Sequence, residues 1–191
     1  GLDELAANAA IEMMVVVGYG EVRHEAATGW ATAADMFVGR LGKRDDLLGA
    51  RYLNSLASYT KSRGDLRAAL AMYDRALAIR EAILGPDHPD VCALLNNAAN
   101  TYEMLGDSKR AQAMLARALE RAERTLGEGH LLTIQVLSNL SISKVNTGAL
   151  DEAKALEERA LALRERVFGP EHTQVAMSET NLGQIYLLRG D

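Results

Sequence analysis

LGPDHPDVCALLNNAANTYEMLGDSKRAQAMLARALERAERT (residues 84–125) decides the fold, because the chain repeats it. Laid over residues 126–167 it registers without a gap. Leu84-Gly85 falls on Leu126-Gly127, His88 on His130, Leu95 on Leu137 and Asn97 on Asn139. Gly106 falls on Gly148, Ala111 on Ala153, Met114 on Leu156, and Arg117-Ala118-Leu119 on Arg159-Ala160-Leu161. The match starts again at Phe168-Gly169-Pro170-Glu171-His172 and runs to Gly190-Asp191, so the offset is 42 residues (84 to 126, 126 to 168). Self-similarity at a fixed period in this range marks a stacked repeat array.

Within a copy, apolar residues recur at helical spacing. Leu53, Leu56, Ala57 and Thr60 fall at i, i+3, i+4 and i+7, and Ala69, Tyr73, Ala76 and Leu77 do the same after Gly64. Gly64 ends one helix and Asp65 is placed to cap the next. Gly85-Pro86 stops that second helix, since the residue before proline avoids the α region. Pro89 suits a first helical position, which makes His88 the N-cap and puts Asp90 in the first turn, where a carboxylate favours the helix dipole. The pairs of helices expected are 46–83, 88–105 with 108–125, and 130–147 with 150–167, followed by a single helix at 172–189 and a turn at Gly190-Asp191.

Residues 1–42 read as a degenerate copy. Trp30 lies between Ala26 and Ala33 as Tyr73 lies between Ala69 and Ala76, an offset of 43 (30 to 73), so the loop after Gly42 is one residue longer than its counterparts. A helix is expected over residues 3–18 despite the β-branched run Val15-Val16-Val17, with Leu2, Leu5, Ala6, Ala9 and Met13 on its apolar face. The expected organisation is one solenoid over 1–191: degenerate repeat 1–42, clear repeats 43–83, 84–125 and 126–167, and half a repeat at 168–191. The fold class is all-α, an α-solenoid of antiparallel helix hairpins with about nine helices. The chain starts at Gly1 and stops in mid-repeat, and both ends read as cuts in a longer protein.

Composition agrees with a folded helical chain: 48% apolar residues, 25% charged, and three prolines in 191 residues. The net charge of −5 argues against a nucleic-acid footprint, which needs a basic face. No basic cluster would hold an anionic membrane, and no apolar run approaches the roughly 20 residues that span one. Cys92 is the lone cysteine, so no intrachain disulfide is available; a reducing, cytoplasmic setting is expected, with Cys92 as a small buried apolar residue.

Nothing in the sequence converges on catalysis. The glycines form neither GxGxxG nor GxxxxGK[ST], so no phosphate cradle is expected. His88, His130 and His172 recur with the repeat, roughly 10 Å apart per layer of helices, and cannot share one metal ion; a capping or loop role is expected for them and for the lone His24. Glu158 and Glu165 belong to a solvated surface, and Glu157 reads as a carboxylate paired with a nearby arginine or turned aside by a tilted helix. The expectation is no enzyme, no cofactor and no metal.

The small and aromatic positions carry a resemblance. Leu53-Asn54-Ser55-Leu56-Ala57, Gly64-Asp65, Ala69, Tyr73 and Arg75-Ala76-Leu77 form one copy of it. Leu95-Asn96-Asn97-Ala98-Ala99, Tyr102, Gly106-Asp107, Ala111, Leu115 and Ala118 form another. Ser138-Asn139-Leu140-Ser141, Gly148, Ala153 and Ala160 are a third, and Thr180-Asn181-Leu182-Gly183, Tyr186 and Gly190 open a fourth. This pattern resembles tetratricopeptide repeats (TPR), in the 42-residue kinesin-light-chain variety with its LGPDHP-type loop, and more loosely the TPR tails of bacterial serine/threonine kinases. Ala57, Ala99, Gly183, Ala69, Ala111 and Ala153 would let helices approach closely, with Tyr73 and Leu115 filling the space between hairpins. Departures are Thr60 and Lys144 in place of the aromatic at Tyr102 and Tyr186, a missing proline at Gly129-His130-Leu131, and Glu157 in the Tyr73 and Leu115 series, where Leu156 is expected to fill instead.

The resemblance implies a right-handed superhelix with a concave groove that binds a peptide or a partner helix. It places Ser55, Asn97, Asn139 and Asn181 on the groove wall at one equivalent position, with Ser58, Asn100 and Gln184 three residues on. An amide there offers donor and acceptor to an extended backbone; the competing reading is that these residues bridge neighbouring repeats. Arg51 and Gln135, one turn earlier on their helices, extend the same wall. The expected function is therefore a protein-protein interaction module, the alternative being a regulatory or structural segment of a larger bacterial signalling protein such as a kinase.

Overall fold

The computed structural model describes residues 1–18 and 24–190. Among them lie nine α-helices and no strand: α1 (Leu2–Gly18), α2 (His24–Arg40), α3 (Leu47–Ser62), α4 (Leu66–Leu84), α5 (Pro89–Met104), α6 (Ser108–Leu126), α7 (Leu131–Asn146), α8 (Leu150–Phe168) and α9 (Thr173–Arg189). Each boundary from α3 onward falls within a residue or two of its sequence expectation. The side chain of His24 and residue Asp191 lie outside the described residues. The chain forms two compact units, Gly1–Pro86 and Asp87–Asp191.

The helix starts are built as the repeat dictates. Asp65 accepts from the Ala68 amide and Asp107 from the Arg110 amide, both at 3.1 Å. His88, His130 and His172 are N-caps whose Nδ1 accepts from the amide two residues on, at 3.1 to 3.2 Å. Their imidazoles are committed to helix starts. Each cap satisfies one of the amides a first helical turn leaves without a partner.

In the first unit, α1 pairs with α2, α3 pairs with α4, and α1 lies against α3. The buried face of α1 is Ala7, Ala10, Ile11, Met14 and Val17. The expected face is corrected: Leu2 is 86% and Leu5 68% exposed. The polar edge Glu4, Asn8 and Glu12 settles the roll. Lys43 pairs with Glu4 at 3.1 Å, and Arg51 donates to Asn8 Oδ1 at 2.7 Å and pairs with Glu12. That edge must face α3, so the face beside it is the one that packs. Trp30 is also corrected. It is 37% exposed, whereas Tyr73 is fully buried. The buried α2 residues Ala27 and Ala34 stand 42 positions before Ala69 and Ala76, so the undisturbed period puts small Ala31, not Trp30, at the Tyr73 position.

The expected one-residue insertion after Gly42 is corrected: the 42-residue register runs unbroken from Ala34 and Ala76 to Gly49 and Val91, and because α2 ends at Arg40, the loop 41–46 links α2 to α3 with six residues, against four at 127–130 and 169–172. Its backbone folds onto the start of α3 so closely that a Cβ at Gly49 would meet Arg44 O at 2.2 Å and Lys43 O at 2.5 Å. The other repeats carry Val91, Thr133 and Val175 at this position. Arg44 forks onto Asp35 at 2.6 and 2.9 Å, and this hydrogen-bonded guanidinium holds the Asp35 carboxyl below its usual range. Burial, helped by the Asp35 charge, pushes the Tyr52 phenol up to about 12.

In the second unit, α5 pairs with α6, α7 with α8, α7 packs on α6, and α9 packs on α8. Ala99, Ala111 and Ala153 are fully buried where helices meet, and Leu115 is buried as the filler. Ile134, Leu137, Ala160 and Leu163 form one cluster, and Ala153, Leu182 and Ile185 another. Cys92 is buried and its thiol pushed up by that burial, as a small core residue should be. Gly183 does not mediate a close approach: it is exposed, and a Cβ there would meet nothing within 4 Å.

Two outcomes follow for the first unit. Gly49→Ala forces loop 41–46 off α3 and should lower the thermal midpoint by several degrees, on the order of 1–3 kcal/mol; an unchanged midpoint would refute the close approach. The Tyr52 phenol has a higher pKa folded than unfolded, so its contribution is fully present below pH about 10 and is lost as pH rises toward about 12. Tyr52→Phe should therefore flatten the fall of the urea midpoint between pH 10 and 12, by on the order of 2 kcal/mol.

Candidate functional site

The polar series on the first helix of each hairpin divides once its contacts are known. In the first unit it is spent on structure. Arg51 ties α3 to α1, Ser55 is buried, and Ser58 shares a 2.9 Å hydrogen bond with the Tyr73 hydroxyl. In the second unit Asn97 and Asn100 are half-buried on α5. Asn139 on α7 is half-buried and donates to Oδ1 of the buried Asn96 at 2.8 Å, a bond from one repeat to the one before. Such a bond leaves Asn139 its carbonyl and a second N–H, because an amide carries two donors.

Between α7 and α9 the series opens onto a cleft of about 550 Å³. Gln135, Asn139 and Ser138 line it from α7, Gln174 and Asn181 from α9, and Arg164 reaches it from α8. Ile134, Ile142 and Met177 supply apolar surface beside these amides. Gln184 lies one turn on, in a smaller hollow of about 50 Å³ that it shares with Asn181 and Asn146. Gln135, Asn139 and Asn181 are thus brought together, with Gln184 adjoining; Arg51, Ser55 and Ser58 are in the other unit.

The site holds one group that sequence reasoning placed wrongly. Leu156 does not fill the Tyr73 position; it is half-buried at the edge of the α7–α8 cluster, and Glu157 itself is turned inward and fully buried. Its Oε1 accepts from Ser178 Oγ at 2.8 Å, Ser138 Oγ and Asn181 Nδ2 at 3.2 Å, and Arg164 Nη1 at 3.3 Å. The pairing with an arginine that the sequence suggested is made, and Arg164 is itself only 5% exposed. A buried carboxylate survives only with such company, since desolvating an unpaired charge is prohibitive. The signal was present in the sequence: Arg164 stands seven residues after Glu157, two turns along the same face.

Among the described residues no group of three His, Cys, Asp or Glu side chains could hold a metal ion. No helix of the described chain is long and apolar enough to cross a membrane.

Antiparallel helix hairpins repeating at 42 residues, with Ala at the close approaches and amides on the first helix, define a helical-repeat protein. The tetratricopeptide repeat model matches residues 49–124, 106–165 and 133–191, and the chain belongs to that family. Solved structures share the fold. BtubC (BKLC) from P. vanneervenii is 22% identical, with a TM-score of 0.72 over 99% of this chain and 84% of that one. A putative kinesin light chain from Podosopora anserina with nearly identical TPR-like repeats is 18% identical, with a TM-score of 0.81 over 96% and 86%. The first TPR of Spaghetti (RPAP3), bound to the HSP90 peptide SRMEEVD, is 19% identical, with a TM-score of 0.57 over 76% and 97%. No curated protein sequence matches the chain.

Glu157→Gln tests the buried cluster. It removes the charge that compensates Arg164 and keeps the shape. Urea unfolding should show a loss of about 3–5 kcal/mol, and a loss below about 1 kcal/mol would mean that Arg164 reaches solvent or another anion.

Proposed function

We propose that this chain is a non-enzymatic protein-interaction module that binds a peptide in the cleft between α7 and α9. One observation carries the reading: Gln135, Asn139 and Asn181, which the family resemblance put on the groove wall, line one cleft large enough for a few side chains of a bound segment. The alternation of amides with Ile134, Ile142 and Met177 suits an extended strand or a helix turn, whose backbone needs donors and acceptors while its side chains need apolar cover. The first TPR of Spaghetti (RPAP3), a similar fold with an HSP90 peptide bound, supports the same class of function. An active site would require a nucleophile or base beside an electrophilic group, and the cleft lining offers amides, an arginine held by its own carboxylate, Ser138 donating to Glu157, and His172 with its Nδ1 committed to capping α9.

Peptides selected from a random display library against the folded chain provide the test. Gln135 is exposed and lines the cleft, so Gln135→Ala should weaken a selected peptide about two- to tenfold, the worth of one hydrogen bond, with the melting temperature unchanged. Asn139→Ala should weaken binding and also lower stability by about 1–3 kcal/mol, because it strands the buried Asn96 carbonyl oxygen. Peptides indifferent to both changes would place the binding surface elsewhere.

A further inference from the structure

The α7–α9 cleft uses one side of α7, and the other side opens onto a second hollow. Lys144 lies nine residues after Gln135 (135 to 144), about two and a half turns, which puts it on the opposite side of the helix. There Leu140 and Lys144 floor a trough of about 590 Å³. Its walls are Gln112, Ala113 and Ala116 of α6 and Glu152 and Ala155 of α8. Those two helices do not touch, so the trough runs open between them.

The trough lies where the sibling copies place a ring. The repeat offset makes Lys144 the counterpart of Tyr102 and Tyr186. Tyr186 packs back on α8: the Lys154 ammonium lies 5.3 Å from the centre of its ring, and its hydroxyl donates to Glu158 at 3.4 Å. The α6 counterparts of Lys154, Ala155 and Glu158 are Gln112, Ala113 and Ala116, which form one wall of the trough. Tyr102 is also covered by a cation, Arg110, at 5.7 Å, and the counterpart of Arg110 is Glu152. Both members of that pair have changed together. The ring has become Lys144 and the cation Glu152, and they meet as an ion pair at 2.6 Å. Lys144 thus leans toward α8 of its own hairpin. Gln112 is engaged at the end of α7, where it donates to Ser143 O at 3.1 Å and Thr147 Oγ1 at 3.0 Å. The seat on α6 is left to the exposed Ala113 and Ala116.

We infer that the trough between α6 and α8 is a docking site for an aromatic side chain carried by a partner protein. The occupant is named by the siblings: at this position the second unit twice seats a ring beside a cation, and here it keeps the cation and the seat without the ring. Ala113, Ala116, Leu140 and Ala155 offer apolar surface to the faces of a ring, and the Lys144 ammonium on the floor supplies the charge that Arg110 and Lys154 supply to Tyr102 and Tyr186. Glu152 is the positioning residue, since its carboxylate holds that ammonium over the α8 side of the trough. The inference does not depend on the α7–α9 cleft, because it concerns the other side of α7.

The test uses the full chain with ¹³C-labelled alanine methyl groups and two probes, acetyl-Ala-Phe-Ala-amide and its cyclohexylalanine analogue. The two are alike in size, and only the first carries a π face. The phenylalanine probe should shift the Ala113, Ala116 and Ala155 methyl resonances by its ring current, saturably and with a millimolar Kd. The cyclohexylalanine probe should bind about threefold more weakly, the worth of a cation–ring contact at an exposed site. Lys144→Met keeps the stem, loses the charge and should abolish that preference. Lys144→Tyr restores the sibling residue and should keep or raise the melting temperature while abolishing the methyl shifts. Ala116→Leu, at an exposed helical position, closes the seat from α6 and should abolish them with the melting temperature unchanged. Equal binding of the two probes to the wild type would overturn the inference, since the trough would then be apolar cover alone. Methyl shifts that are absent in the wild type, or that survive in Lys144→Tyr or Ala116→Leu, would overturn it as well.

Discussion

A single helix hairpin of this sequence cannot bury its own apolar surface, and everything else in each unit follows from the way neighbours are brought close enough to do so. The means is the row of alanines. Ala57 and Ala69 in the first unit, and Ala99, Ala111 and Ala153 in the second, are all without solvent exposure. The larger residues on the same helices, Tyr73 and Leu115, are fully buried within their own units. Close approach leaves little room for error. This is why the loop folded onto the start of α3 demands a glycine at position 49 and why an inward carboxylate at position 157 must bring its own arginine.

The loops and the helix faces divide the labour. The LGPDHP-type turns are occupied with architecture: their histidines cap helices through Nδ1, and their acids, such as Asp87 with Arg124 and Glu128 with Arg159 at 2.7 Å, tie each turn to the second helix of its hairpin. The polar side chains that line a cleft are mostly on the first helices instead, and within the second unit they are gathered where α7 faces α9. The amides there do two jobs at once. Asn139 spends one N–H on Asn96, and Asn181 spends one on Glu157, so that bridging elements and lining the cleft are not alternatives for the same residue.

The polar cluster under that cleft shows how a repeat array becomes specific. Successive copies share a backbone, so distinct chemistry must come from positions where one copy departs from its siblings. Glu157 and Ser178 are such departures, standing where the preceding copy buries Leu115 and Val136; Arg164 stands where one copy carries Ala122 and another Arg80. The combination is coherent at one oxygen: the hydroxyl and the guanidinium both donate to Glu157 Oε1, while Oε2 is buried without a hydrogen-bond partner.

The sequence by itself determined the class of fold, the period, the helix limits and the caps, because these depend on local chemistry: glycine and proline at the breaks, aspartate and histidine at the starts, and alanine at regular spacing. It also pointed to Gln135, Asn139 and Asn181 as members of one wall. What only the tertiary structure decided was the roll of each helix and the company of each side chain. Leu2 and Leu5 are apolar and periodic, yet they face outward because Glu4, Asn8 and Glu12 hold α1 to Lys43 and Arg51. Trp30 lost its place to the register of Ala27 and Ala34. Glu157 is buried although its neighbour Leu156 is the more apolar, because helix roll is shared by every residue on α8, and Ala153, Ala160 and Arg164 fix it with position 157 inward. Burial is a property of the whole contact surface, and no window of sequence short enough to read as a motif contains it.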